Sequence, residues 1–133
     1  MDGISKLIID VSYHNGVINW EKVKASGCAG AILRCGYGDD IASQDDKQWI
    51  RNLAECERLG IPVGVYLYSY AICDRQAKSE LEHILRLIKG HTFQLPIFID
   101  VKSREHRTML LDAARLSVKD LKQLDILRES THP

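Results

Sequence analysis

The feature that most constrains the fold is a regular alternation between two apolar patterns. Short runs rich in Val, Ile and Tyr are typical of strands, and they are separated by stretches in which apolar residues recur every three or four positions, as in amphipathic helices. The predicted strands and helices alternate along the chain in the order 6–14, 18–27, 29–38, 44–60, 61–71, 74–90 and 95–101. Consecutive βαβ units predict a parallel α/β sheet, either doubly wound or part of a (β/α) barrel.

Each predicted strand has one apolar face, and its other face becomes polar toward the C-terminal end. Because side chains alternate along a strand, the polar residues of the four strands all lie on the second face. The residues expected to meet at this edge are Asp10, Arg34, Tyr66, Tyr68 and Asp100. The C-terminal edge of parallel strands is where α/β enzymes place their active sites, so this set is the candidate site.

These residues also have ordinary structural explanations, which the sequence leaves open. Asp10 and Asp100 can cap loops, and Asp10 can pair with Arg34, whose guanidinium we expect to orient or neutralise a carboxylate. The tyrosines of the third strand can pack on the sheet or form a platform for a sugar ring. His14 is expected to cap a loop, and the Asp45–Asp46 pair is expected at a helix N-terminus.

Composition excludes several classes of function. Eighteen Lys and Arg residues balance eighteen Asp and Glu residues, which argues against a nucleic-acid surface. No apolar run approaches the roughly 18 residues of a membrane span, and the N-terminus lacks the pattern of a signal peptide, so we expect neither. The four cysteines form no C-x-x-C pair, so we predict reduced thiols and no metal site.

Three blocks of sequence follow a pattern that is more specific than the alternation itself. The first has Asp10 and Ser12 in Asp-x-Ser, followed by Gly-x-Ile-Asn-Trp at 16–20. The second is Arg-x-Gly-Tyr-Gly at 34–38, and the third is Gly-Val-Tyr-x-Tyr-Ser at 64–69. In this order the blocks resemble the catalytic domain of family 25 glycoside hydrolases, the lysozymes (N-acetylmuramidases) of bacteria and phages. The resemblance covers about residues 4–102.

The resemblance implies a flattened TIM-barrel-like fold of five βα units and three further strands. It implies cleavage of the β-1,4 bond between N-acetylmuramic acid and N-acetylglucosamine in peptidoglycan, with no metal and no organic cofactor. It implies that Asp10 and Asp100 are catalytic. The residues implied in substrate binding are Ser12, Arg34, Tyr66 and Tyr68.

Two departures from the family pattern lead us to expect impaired activity. The fourth strand of the family ends in Asp-x-Glu, where the Glu is the proton donor, but Lys102 stands at that position here. A lysine cannot replace a carboxylic acid as a proton donor at neutral pH without strong desolvation. In addition, the tail 103–133 is divergent, and it is predicted to form polar helices without a further strand.

We therefore expect one domain over 1–133, a truncated family member with only the first four βα units plus C-terminal helices. The exposed edges of such a sheet favour pairing with a second copy of the chain. The alternative to an enzyme is a non-catalytic peptidoglycan-binding or assembly remnant. A flavodoxin-like domain is a third alternative, but the Gly-Tyr-Gly-Asp-Asp loop at 36–40 lacks the spacing of a phosphate-binding loop.

Overall fold

The computed structural model describes residues 7–101 and 128–129. Its regular elements along the chain are β1 (Ile8–Val11), α1 (Trp20–Ala25), β2 (Gly30–Tyr37), α2 (Trp49–Leu59), β3 (Val63–Tyr68), α3 (Asp74–Ile88), β4 (Ile97–Val101) and β5 (Arg128–Glu129). All neighbouring strands are parallel, in the order β1-β2-β3-β4-β5. The four predicted strands, the three predicted helices and the parallel sheet are confirmed, and among the described residues the barrel is not closed.

The prediction that no strand follows the fourth is wrong. The short strand β5 pairs with β4, where Arg128 lies level with Asp100 and Glu129 with Val101. Two residues are too few to show the period-two pattern of a strand, so only backbone pairing with β4 reveals this element. The remainder of the predicted helical tail, and Lys102, lie outside the described residues.

Helix α2 begins at Trp49, five residues later than the apolar pattern predicts. The intervening residues are held by backbone contacts with β2 instead. Asp46 N donates to the Cys35 carbonyl at 2.8 Å, and Gly36 and Asp45 form an isolated antiparallel bridge. These contacts fix residues 45–46 in an extended path, so the helix cannot begin before the chain has turned away from β2.

The core lies between the helices and the apolar face of the sheet. On β3 the side chains of Val63, Val65 and Leu67 are buried, as their alternation predicts. Trp20 of α1 is also buried, and its indole Nε1 donates to Asn52 Oδ1 on α2 at 3.0 Å, so its polar atom is satisfied. No helix in the described part of the chain is long and apolar enough to cross a membrane.

All four cysteines are unpaired thiols, as predicted. Cys35 on β2 and Cys56 on α2 are buried, and burial raises the pKa of the Cys56 thiol to about 12. Burial also raises the pKa of the Cys35 thiol. Both sulfur atoms therefore stay protonated at neutral pH and act as small apolar groups in the core.

Gly64 lets three strands approach closely in the middle of the sheet. A Cβ at this position would lie 2.6 Å from Ile32 Cδ1 on β2 and 2.6 Å from the Pro96 carbonyl oxygen beside β4. Since the carbonyl oxygen belongs to the backbone, it cannot move aside cheaply. The glycine in the Gly-Val-Tyr-x-Tyr-Ser block is therefore explained by packing of the sheet.

Candidate active site

A cavity of about 440 Å³ opens at the C-terminal edge of the sheet. Its walls come from the ends of β1, β2 and β3 and from the segments that follow β1 and β3. The lining residues are Asp10, Val11, Ser12, His14, Asn15, Arg34, Tyr66, Tyr68 and Tyr70. The fold thus brings together five of the six residues to which the sequence assigns catalytic or binding roles, and the sixth, Asp100, lies on β4.

The two candidate catalytic aspartates have different surroundings. Asp10 is exposed and lines the cavity. Asp100 is only 1% exposed, it lies level with Tyr68 on β3, and its carbonyl oxygen accepts from Ser69 N at 3.0 Å. Asp10 therefore lies on the solvent side of the cavity, whereas Asp100 is enclosed by the surrounding sheet.

The register of the sheet also separates the two aspartates. Asp10 is level with Ile32 and, through it, with Gly64, whereas Asp100 is level with Tyr68 farther along the same strand β3. In a flat sheet the three strand spacings correspond to about 14 Å, and the offset from Gly64 to Tyr68 adds about 13 Å along the strand direction. The carboxyl groups of glycosidases lie about 5–9.5 Å apart. The sheet must therefore curve toward the cavity for these two groups to act on one bond.

The segment after β1 is ordered by a reciprocal cap. Ser12 Oγ accepts from His14 N at 3.2 Å, and Ser12 N donates to Asn15 Oδ1 at 2.9 Å. The prediction that His14 caps this loop is therefore wrong, because the capping residue is Ser12. The His14 ring lies 4.2 Å from that of Tyr13. Ser12 lines the cavity, but its hydroxyl also holds the loop that follows Asp10.

Arg34 neutralises a carboxylate, as its position predicts, and the partner is Asp46. Its Nε donates to Asp46 Oδ2 at 2.9 Å, and both side chains are largely buried. The guanidinium carbon also lies 5.2 Å from the ring centre of Tyr13 and 5.5 Å from that of Tyr37. These contacts hold Arg34 as a fixed cation in the cavity wall.

Glu80 on α3 holds the segment that follows β3, a role that the sequence pattern does not predict. Its carboxyl accepts from the Ser69 hydroxyl and, at 2.8 Å, from Tyr70 N. Burial raises the pKa of Glu80 above its ordinary value, although the hydrogen bonds from Ser69 and Tyr70 act in the opposite direction. The carboxyl therefore fixes the backbone of Tyr70, which lines the cavity.

A second missed group joins α3 to the segment after β2. His83 is fully buried, with Nδ1 2.9 Å from the Gly38 carbonyl oxygen and Nε2 2.7 Å from Asp45 Oδ1. Arg86 donates to both oxygens of Asp45 and to Asp40. Partial burial alone raises the pKa of Asp45, but the hydrogen bonds from Arg86 and His83 outweigh it and hold that pKa below its ordinary value.

One signal in the sequence points to these two residues of α3. Glu80 and His83 are three positions apart and lie on the same helical face as buried Ala77 and Ile84. A polar residue on an apolar stripe needs a partner, but the stripe does not say which residue supplies it. No group of three or more His, Cys, Asp or Glu residues in the described ranges is arranged to hold a metal ion.

Comparison with known proteins places this geometry in a family. A family model described as glycosyl hydrolases family 25 matches residues 9–124, so the match extends into the tail. No curated protein matches the chain.

Several solved structures share the fold. The modular autolysin LytC from Streptococcus pneumoniae is 29% identical with a TM-score of 0.71, and the alignment covers 90% of this chain and 31% of LytC. LytC in complex with a synthetic peptidoglycan ligand gives the same identity and coverage, with a TM-score of 0.70. A family 25 glycosyl hydrolase from Bacillus anthracis has a TM-score of 0.68 at 20% identity, covering 100% of this chain and 74% of that one. The chain spans about a third of the length of LytC.

Proposed function

The chain belongs to glycosyl hydrolases family 25, and we propose that it carries a lysozyme-type site for the glycan strands of peptidoglycan. The bond addressed is the β-1,4 linkage between N-acetylmuramic acid and N-acetylglucosamine. The observation that carries the proposal is the cavity in which exposed Asp10 faces the same space as Tyr66, Tyr68 and Tyr70. A carboxyl group beside aromatic rings suits a sugar, because the rings pack on the apolar face of the sugar while the carboxyl group meets its polar groups.

The residues take separate roles in this proposal. Asp10, exposed in the cavity, stabilises the positive charge that develops on the sugar in the transition state. Asp100, buried beside Tyr68, is the second carboxyl of the pair. Arg34, held by Asp46, orients polar groups of the substrate, and Ser12 keeps the loop after Asp10 in place. Tyr68, which is half-buried, offers its ring to the sugar, and Tyr66, only 5% exposed, supports it in the cavity wall.

The proton donor is the position at which this site departs from the requirements of glycoside hydrolysis. Glycoside hydrolysis needs one protonated carboxyl for the leaving oxygen and one ionised carboxyl for the developing charge. Lys102, which lies outside the described residues, occupies the position of the donor. General acid catalysis contributes about 10²–10⁴-fold, so we expect turnover to be low by about this factor.

The experiment measures release of reducing ends from purified peptidoglycan. We expect weak release by the chain as given, an increase of about 10²–10⁴-fold in Lys102→Glu, and loss of that gain when Asp10→Asn is added. Asp74→Asn is the matched control, because Asp74 is an exposed carboxylate that does not line the cavity. Strong release by the unaltered chain that persists in Asp10→Asn would contradict these roles.

A non-catalytic peptidoglycan-binding protein is the second candidate, and Lys102 is the observation that favours it. Cosedimentation with insoluble peptidoglycan separates the two. Binding that depends on Tyr66 and Tyr68, without release of reducing ends even in Lys102→Glu, supports the binding protein. Release by Lys102→Glu supports the enzyme.

A further inference from the structure

A second cavity, of about 270 Å³, lies directly beside the first. Its lining residues are Tyr37, Gly38, Asp39, Gln44, Tyr70, Ala71, Gln76 and Glu80. Tyr70 lines both cavities, so they adjoin at this residue. The proposed function assigns a role to the first cavity only.

Tyr70 is held in place by several contacts where the two cavities meet. Its backbone N–H donates to Glu80 at 2.8 Å, and its ring centre lies 5.0 Å from that of Tyr68 and 6.1 Å from that of Tyr37. The side chain is nevertheless 55% exposed. An exposed ring whose backbone is anchored and whose neighbours are also tyrosines offers a preorganised surface for a ligand.

Two polar groups of the second cavity are available to a ligand. Gln76 Oε1 accepts from Ile72 N at 2.8 Å, which leaves the amide hydrogens of Gln76 as donors, and the Asp39 carboxylate is an acceptor. By contrast, the Gln44 amide donates to the Tyr37 carbonyl, and Glu80 is bound to Ser69 and Tyr70. The cavity therefore presents one donor group and one acceptor group beside an aromatic ring.

The carboxylate, the amide and the aromatic ring of the second cavity favour some classes of ligand over others. The Asp39 carboxylate repels anions, and the neighbouring cation Arg86 is engaged by Asp40 and Asp45. A purely apolar ligand would leave Asp39 and Gln76 desolvated without partners, which is costly. A neutral ring with hydroxyl groups at its rim and an apolar face satisfies the carboxylate, the amide and the aromatic ring together.

We propose that the second cavity is a further saccharide subsite, so that a glycan strand runs from the Asp10 cavity across Tyr70 to Asp39 and Gln76. This inference rests on the proposed function, because it assumes that the first cavity binds the same strand. The subsite adds affinity for long glycans and takes no part in bond cleavage. Asp39 and Gln76 are therefore specificity-determining residues for chain length.

The experiment measures, by calorimetry, the affinity of the full chain for a peptidoglycan disaccharide and for the corresponding tetrasaccharide. We expect the tetrasaccharide to bind about tenfold or more tightly than the disaccharide, since a hydrogen bond to a charged group contributes on that scale. Asp39→Ala and Gln76→Ala should each remove most of this gain and leave disaccharide binding within about twofold. Asp74→Ala, an exposed change outside both cavities, is the matched control, and circular dichroism verifies the fold of each variant.

The outcomes separate the two proposals. If the disaccharide and the tetrasaccharide bind equally well, or if the gain survives in both Asp39→Ala and Gln76→Ala, the second subsite is refuted and the proposed function stands. If the unaltered chain binds neither glycan, the proposed function fails, and the subsite fails with it.

Discussion

Arg34 on β2 donates through Nε to Asp46 Oδ2 at 2.9 Å, and the same oxygen accepts from Tyr13 N at 3.0 Å. One buried carboxylate thus joins the middle of the sheet, the segment after β1 and the segment before α2. Asp46 also accepts from Gln48 N at 2.8 Å, just before that helix begins. Two walls of the Asp10 cavity therefore depend on Asp46, although Asp46 itself does not line it.

We expect Asp46→Ala to lower the free energy of unfolding by about 3–5 kcal/mol, because it leaves a buried guanidinium without its carboxylate. Urea denaturation measures this loss. The control is Glu21→Ala, which breaks an exposed pair with Arg58 and should change stability by no more than about 1 kcal/mol. Equal effects of the two substitutions would show that the Arg34–Asp46 pair contributes no more than a surface contact.

Glu80 provides a test based on pH. Because burial raises its pKa in the folded protein above the value of 4.5 for an exposed group, the folded state holds this proton more tightly than the unfolded state does. The contribution of Glu80 is therefore complete below pH 4.5 and is lost as the pH rises through the folded pKa. Glu80→Gln, which mimics the protonated form, should gain stability relative to the unaltered chain between pH 4.5 and pH 7.

Urea denaturation of both proteins across this range measures that difference, and groups common to both proteins cancel. Glu82→Gln, an exposed change on the same helix, is the matched control. A constant difference between the Glu80→Gln variant and the unaltered chain at all pH values would contradict the role of burial.

Gly64 provides a test of sheet packing. We expect Gly64→Ala to cost about 1–3 kcal/mol, because the added methyl group overlaps Ile32 Cδ1 and the Pro96 carbonyl oxygen. Ile32→Val removes Cδ1 and should recover part of the loss, so the double variant is more stable than the two single effects predict. Chemical denaturation of the four proteins in this cycle measures the coupling, and strict additivity would show that the two side chains do not meet.

The strand order and the faces of the strands follow from the sequence, because both depend on local patterns. The alternation in Val63, Val65 and Leu67 specifies the buried face of β3, and the polar residues at the other face converge on the cavity as a consequence. The resemblance to family 25 is confirmed by the match over residues 9–124. The assignment of Asp10 and Asp100 as catalytic remains a prediction.

The polar partners could not be predicted in the same way, because they depend on contacts between residues distant in sequence. Arg34 requires a carboxylate, but Asp10, Asp46 and Asp100 are all compatible with a local pattern, and only the fold selects Asp46. Similarly, His83 meets Asp45 across 38 residues. The late start of α2 has the same origin, since backbone bonds to β2 outweigh the helical periodicity of the preceding segment.

The exposed edge of β1 leads to a prediction about assembly. In the described part of the chain β1 pairs with β2 alone, and Leu7 and Ile8 are 62% and 49% exposed. An apolar edge strand favours pairing with another chain, so we expect two copies to associate through β1. Ile8→Lys should abolish this dimer, because a lysine on an edge strand opposes pairing.

Sedimentation velocity over a wide range of concentrations measures the assembly. The matched control is Ile50→Lys, which introduces the same charge on α2 at a side chain that is 80% exposed. We expect the unaltered chain and Ile50→Lys to dimerise and Ile8→Lys to stay monomeric. A dimer lost equally in both variants would indicate that net charge, and not the edge of β1, controls association, and a monomeric unaltered chain would refute the pairing.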